Sequence, residues 1–89
     1  MSQLDKAILR LINEPRDYTY TEAKYLLKHL GYKEYNKGKT SGSRVEFYRE
    51  NDHRIILLLK PHPSDIMKRG AIRDLREYLM NVGDISWKI

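Results

Sequence analysis

Two short segments carry residue types with which a chain can hold a phosphate and move a proton beside it. They are Ser41-Gly42-Ser43-Arg44-Val45-Glu46-Phe47 and Lys60-Pro61-His62-Pro63. Together they place a hydroxyl, a guanidinium and an imidazole at the ends of two strands that a short turn can join. Cutting RNA without a metal needs a base for the 2′-hydroxyl, an acid for the leaving oxygen and positive charge on the phosphorane. An unperturbed imidazole titrates at about pH 6.5, so His62 is the candidate acid/base. Arg44 is always charged and cannot accept a proton, so its candidate role is a bidentate clamp on the phosphate. Gly42 lets backbone approach closely, and the amide and hydroxyl of Ser43 can donate to a phosphate oxygen. A purely structural reading stands beside each role. His62 would then be a turn residue between two prolines, and Arg44 an exposed strand cation paired with Glu46 or Glu34.

Around this pair, Lys37, Lys39, Lys60, Lys68, Arg69 and Arg73 form a group of candidate RNA-phosphate contacts. Gly70 opens a helix whose first amides can meet an anion. Of the seven tyrosines, Tyr48 shares the polar face of a strand with Arg44 and is the candidate for stacking on a base. Tyr20, Tyr25, Tyr32, Tyr35 and Tyr78 fall where packing at the rim of a core explains them. His53, beside Asp52 in a turn, reads as solvated. His29 reads as a helix-end residue favoured by the dipole. The histidines at 29, 53 and 62 lack metal-ligand spacing and cysteine is absent, so no metal or other cofactor is expected.

The elements that must position these groups are legible in the patterning. With 89 residues and 40% hydrophobic content, the chain reads as one soluble domain, residues 1–89, with a modest core. No apolar run approaches a membrane span of roughly 18–20 residues, and no secretory signal pattern opens the chain, so a cytoplasmic location is expected. The net charge is +5, and the middle third, residues 32–63, holds seven Lys/Arg against four Asp/Glu. Each flanking third holds five against four, so most of the excess surrounds the two segments. Basicity concentrated in this way suggests an anionic partner such as RNA.

Leu4, Ala7, Ile8, Leu11 and Ile12 mark one face of a helix over about residues 3–14, ended by Pro15. Thr19-Tyr20-Thr21-Glu22 predicts a capping box, followed by the apolar face Ala23, Leu26, Leu27 and Leu30 and a stop at Gly31. Tyr32 to Tyr35 predicts a short strand. A basic loop runs through Gly42. Arg44–Arg49 then alternates, with Val45 and Phe47 on one face. Glu50 to His53 predicts a hairpin turn, and Arg54 to Lys60 a third strand. That strand is apolar on both faces, which requires a cover for the second one, either the first helix or a partner chain. Ala71, Ile72, Leu75, Tyr78, Leu79 and Val82 mark a last helix with Gly83 as its cap, on which Arg73 and Glu77 can pair. The order α-α-β-β-β-α describes an α+β fold in which helices flank a three-stranded antiparallel sheet.

The order and spacing of Leu30-Gly31-Tyr32, the basic loop, Gly42-Ser43, two strands, Pro61-His62-Pro63 and Gly70-Ala71-Ile72-Arg73 resemble the HicA toxins. The resemblance covers about residues 19–83, and the first helix precedes that family core. It implies a double-stranded-RNA-binding-domain-like fold, endoribonuclease activity on mRNA and neutralisation by a HicB-like antitoxin. The family motif is typically Gly-Ser-His, with the histidine as base; here the third position is Arg44, which cannot take that role. A subset of HicA-like sequences is similar to this one in having Gly-Ser-Arg. Three functions are therefore expected in order: an mRNA interferase, a non-catalytic RNA-binding module, and an interaction subunit docking through its apolar third strand. The last includes a homo-oligomer through the sheet.

Overall fold

Each predicted helix and strand has a counterpart in the computed structural model, which describes residues 3–35, 44–61 and 63–86. The elements are α1 (Gln3–Asn13), α2 (Tyr20–His29), β1 (Lys33–Tyr35), β2 (Arg44–Arg49), β3 (Arg54–Leu59) and α3 (Arg69–Asn81). The three strands form an antiparallel sheet in the order β1-β2-β3. The fold is the α+β arrangement that the patterning predicts.

The helices α2 and α3 end by the same device. Gly31 (φ 97°) and Gly83 (φ 84°) adopt the left-handed conformation that a side chain disfavours. After α2, the Gly31 amide donates to Lys28 O and the Tyr32 amide to Leu27 O. After α3, the Gly83 amide donates to Met80 O and the Asp84 amide to Leu79 O, so each end is a Schellman motif. A Cβ at position 31 would also lie 3.2 Å from Arg49 Cδ.

The core lies between one face of the sheet and the helices. Val45, Phe47, Ile56 and Leu58 are buried against Leu11, Leu26, Leu27, Ile72, Leu75 and Leu79 in one cluster. The period-2 alternation of β2 is realised, with Val45 and Phe47 inward. The other face of β3 is open. Ile55, Leu57 and Leu59 are 50%, 55% and 64% exposed. The expectation that α1 covers them is corrected: α1 packs against α2 and α3, on the opposite side of the sheet.

Polar tethers that periodicity does not reveal fasten the helices. Arg10 donates to both oxygens of Glu22 at 2.8 and 3.0 Å, joining α1 to α2. The predicted capping box is therefore only half made. The Glu22 amide donates to Thr19 Oγ1 at 3.1 Å, while the Glu22 carboxylate faces Arg10. Arg76 bonds the Ile12 carbonyl and pairs with Glu14 at 2.7 Å, holding α3 on the end of α1. The suggested Arg73–Glu77 pair does not form; both side chains are exposed.

Arg49 is the hub. It donates to Asp52 at 3.1 and 2.7 Å and to the Leu30 carbonyl at 2.9 Å, pairs with Asp84 at 3.0 Å and lies over the Tyr32 ring. One guanidinium thus binds the hairpin turn, the end of α2 and the end of α3 to the sheet. Its neighbours, with Asp52 foremost, hold its pKa well above the ordinary guanidinium value.

Burial pushes the phenols of Tyr18, Tyr20 and Tyr32 up, Tyr20 to about 12 and the other two beyond it. A raised folded-state pKa means stability that is complete below the ordinary value of about 10 and lost as pH climbs through the folded values. The fold is thus expected to hold through neutral pH and to unfold cooperatively above about pH 10. Circular dichroism and tyrosinate absorbance should change together. Tyrosinate signal from all seven tyrosines appearing at pH 10 with the fold intact would contradict this.

Candidate nucleic-acid interface

The hairpin brings the described parts of the two segments, Arg44 and Lys60, to the same end of the sheet. Arg44 is the first residue of β2, and its Cα partner on β3 is Leu59, directly before Lys60 and Pro61. Arg44 is exposed and makes no ion pair among the described residues. The structural role considered for it is not realised with Glu34, which pairs instead with Lys24 at 3.2 Å. Gly42, Ser43, Lys37, Lys39 and His62 lie outside the described residues.

The chain beyond Pro63 is anchored firmly. The Tyr20 amide donates to Asp65 O at 2.7 Å and the Met67 amide to Tyr18 O at 2.9 Å, forming a small bridge between Thr19 and Ile66. Asp65 Oδ2 accepts from the amide and hydroxyl of Thr21 at 3.0 and 2.6 Å, so this carboxylate also serves the first turn of α2. Those two bonds hold the Asp65 carboxyl below its ordinary pKa, with help from the charges of Lys60 and Lys24. Asp65 is thereby tied to the start of α2 by both its backbone and its side chain. A lone Asp among loop residues carries no periodic signal, which is why sequence reading passed over it.

The N-terminus of α3 lies at this same end. Tyr78, near the far end of α3, hydrogen-bonds Arg54 at the start of β3. Tyr78 lines a groove between α3 and β3 together with Ala71 and with Ile55 to Leu59. A helix rises about 1.5 Å per residue, so Ala71 stands about 10 Å from Tyr78 toward the Leu59 end. Lys68 is the N-cap of α3 and makes no side-chain capping bond, and the first turn contains no acidic residue. Uncapped amides carry the positive end of the helix dipole. Lys68, Arg69 and Arg73 are exposed around them, as is Lys60. Gly70 has no atom within 4 Å of the position a Cβ would take, so packing does not demand glycine there.

The remaining candidates divide. Tyr48 does lie on the exposed face of the sheet with Arg44 and Glu46, but its hydroxyl shares a 2.9 Å hydrogen bond with His53 Nδ1. His53 is therefore a partner of Tyr48 rather than merely solvated; it closes the hairpin turn with φ 56°. Tyr35 is corrected as well: it is exposed on the outer face of the sheet, opposite Glu46, and not packed at the core rim. His29 stays a helix-end residue, its Nδ1 2.9 Å from the Tyr25 carbonyl and its ring against Tyr25. Among the described residues, no cluster of three or more His, Asp or Glu is placed to hold a metal, and no helix is long and apolar enough to cross a membrane.

The basic residues thus separate by role. Arg10, Arg49 and Arg76 are spent on tethers inside the fold. Arg44, Lys60, Lys68, Arg69 and Arg73 stay outward, gathered at one end around an uncapped helix start. Chemically, that end can bind a polyanion. A scan against protein-family models matches residues 20–79 to the family described as HicA toxin of bacterial toxin-antitoxin. Searches of curated proteins and of solved structures gave no match.

Proposed function

The chain belongs to the HicA toxin family of bacterial toxin–antitoxin systems, and from that premise we propose that it is a cytoplasmic mRNA interferase paired with a HicB-like antitoxin. The observation that carries the RNA half is the cationic end just described, where Arg44 and the start of α3 share one rim. The backbone of a single RNA strand lies across that rim. Lys60, Lys68, Arg69 and Arg73 neutralise successive phosphates, joined by Lys37 and Lys39, while Tyr48 offers a ring to a base.

At the linkage that is cut, the 2′-oxygen attacks the adjacent phosphorus and the 5′-oxygen leaves. His62 takes the proton from the 2′-hydroxyl, and the imidazolium so formed returns it to the leaving 5′-oxygen. Arg44 and the Ser43 donors hold the phosphorane charge as it develops. The Gly-Ser-Arg sequence leaves the third motif position without a base, which concentrates proton transfer on His62.

Arg44→Ala should weaken RNA binding and reduce the slope of log affinity against log salt by about one charge, while thermal stability stays unchanged. Fluorescence anisotropy across a salt series measures it; an unaltered slope removes Arg44 from the interface. Gly70→Ala supplies a second check. Alanine in a helix is more favourable than glycine by about 0.5–1 kcal/mol, so the variant should melt later. Its methyl group should nevertheless weaken RNA binding if the phosphate sits on the amides of the first turn. A variant that is both more stable and equally tight would place the phosphate elsewhere.

A further inference from the structure

Tyr35 and Tyr48 put two aromatic rings on the outer face of the sheet, on adjacent strands. The Cα partner of Tyr48 on β1 is Lys33, and that of Tyr35 on β2 is Glu46, so the two rings are diagonal neighbours. Such neighbours stand about 7–8 Å apart, within reach of large side chains. Tyr35 is 47% exposed. Tyr48 is half-buried, and its 2.9 Å hydrogen bond with His53 Nδ1 holds its ring in place. Glu46 stands beside both rings, an acid on a face whose other described charges are the cations Lys33 and Arg44. It makes no ion pair with either, nor with any other described residue. An acid so placed weakens the pull on phosphate unless it accepts a hydrogen bond from the nucleic acid itself.

We infer that this face reads one unpaired guanine of the RNA, with Tyr35 and Tyr48 stacking on bases and Glu46 accepting from the guanine edge. The inference rests on the function proposed above and names the base that the site selects. Unpaired bases can be splayed out, laid on aromatic rings and read along their Watson–Crick edges. A base lying on either ring turns its edge toward Glu46. Lys33 and Arg44 then meet the phosphates on either side.

Guanine follows from the chemistry of the acceptor. A carboxylate only accepts, through two oxygens side by side. The Watson–Crick edge of guanine carries two adjacent donors, N1–H and the N2 amino group, which match those oxygens. Adenine and cytosine each set an amino group beside a bare ring nitrogen, whose lone pair repels the second oxygen. Uracil offers a single N–H between two carbonyls. Glu46 and Arg44 are two residues apart on one strand face, about 7 Å, so the guanine adjoins the linkage that Arg44 clamps.

The probes are fluorescent heptanucleotides UUUGUUU, UUUAUUU, UUUCUUU and UUUUUUU with 2′-O-methyl sugars, which cannot be cut by 2′-attack. Anisotropy with the full chain at fixed salt should show the guanine probe binding about tenfold tighter than the other three. Replacing its guanine with inosine, which lacks the N2 amino group, should remove most of that advantage. Glu46→Gln should bring the four probes to within about threefold of one another. Tyr35→Leu should weaken all four about tenfold, and Tyr35→Phe should restore them. Equal binding of the four probes, undiminished binding of inosine, or a guanine preference that survives Glu46→Gln overturns the inference. So does a dimer of the chain alone that Tyr35→Leu abolishes. Cutting of unmodified RNA, measured in parallel, separates the two proposals. A chain that cuts RNA without regard to guanine keeps the nuclease and loses this reading. One that selects guanine through Glu46 but cuts nothing does the reverse.

Discussion

Replacing His62 with alanine is expected to lower the RNA cleavage rate by about 10²–10⁴-fold while leaving RNA affinity nearly unchanged. That range is what a positioned proton-transfer group contributes. The expectation follows from the division of labour at the cationic end. Arg44 can hold charge but cannot act as a base, and the described cations near it are lysines and arginines proposed above as phosphate contacts. Under the proposed function binding is spread over at least five side chains, so losing one imidazole should remove little of it. A gel assay with labelled RNA, read beside anisotropy, separates rate from affinity. Cleavage within threefold of the parent would assign the proton transfer to another group. His53, held by Tyr48 on the same sheet face, would be the next to test.

The second large effect concerns the fold. Arg49→Ala should cost about 3 kcal/mol, because it strands a nearly buried carboxylate as well as losing hydrogen bonds. The Arg49 side chain is 13% exposed and that of Asp84 11%, so water cannot replace the lost partner easily. Tyr32 donates to Asp84 at 2.9 Å, leaving that carboxylate half served when the guanidinium goes. For a small domain, whose whole stability is about 5–15 kcal/mol, this is a large fraction. Urea unfolding of parent, Arg49→Ala and Arg49→Lys measures it. Lysine should fall between the two, since it keeps the charge but not the planar fork that reaches Asp52, Asp84 and Leu30 O together. A loss under about 1 kcal/mol for alanine would show that the hub contributes geometry and little stability.

The contrast between these two arginines explains what the sequence could and could not disclose. Helices and strands were legible because their apolar residues repeat with the period of the element, as Ile8, Leu11 and Ile12 do in α1 and Val45 and Phe47 in β2. The two glycine stops were legible because only the left-handed conformation closes those helix ends cheaply. Roles of individual charges follow no period. Arg44 and Arg49 begin and end the same six-residue strand, yet the second is absorbed into a network while the first makes no ion pair among the described residues. The difference comes from Asp52 and Asp84, three and thirty-five positions away, meeting at one point. Asp65 escaped notice for the same reason: its partner Thr21 lies forty-four residues earlier.

The open face of β3 shows a different limit. Two-sided apolar patterning predicts that both faces are covered, and the described elements cover only one. The patterning shows that a cover is needed but not that no described element supplies it. Ile55, Leu57 and Leu59 have the composition of core residues, yet each is at least half exposed. In the same way Tyr35 reads as a rim tyrosine by composition, whereas the register places it on the outer face opposite Glu46.

One experiment bears on the nuclease directly: incubating the purified chain with an end-labelled mRNA in EDTA and identifying the new 3′ ends. Attack by the 2′-hydroxyl, with His62 moving the proton, yields fragments ending in a 2′,3′-cyclic phosphate, formed at undiminished rate without divalent ions. Intact RNA, or 3′-hydroxyl fragments that vanish when metal is chelated, would contradict the account.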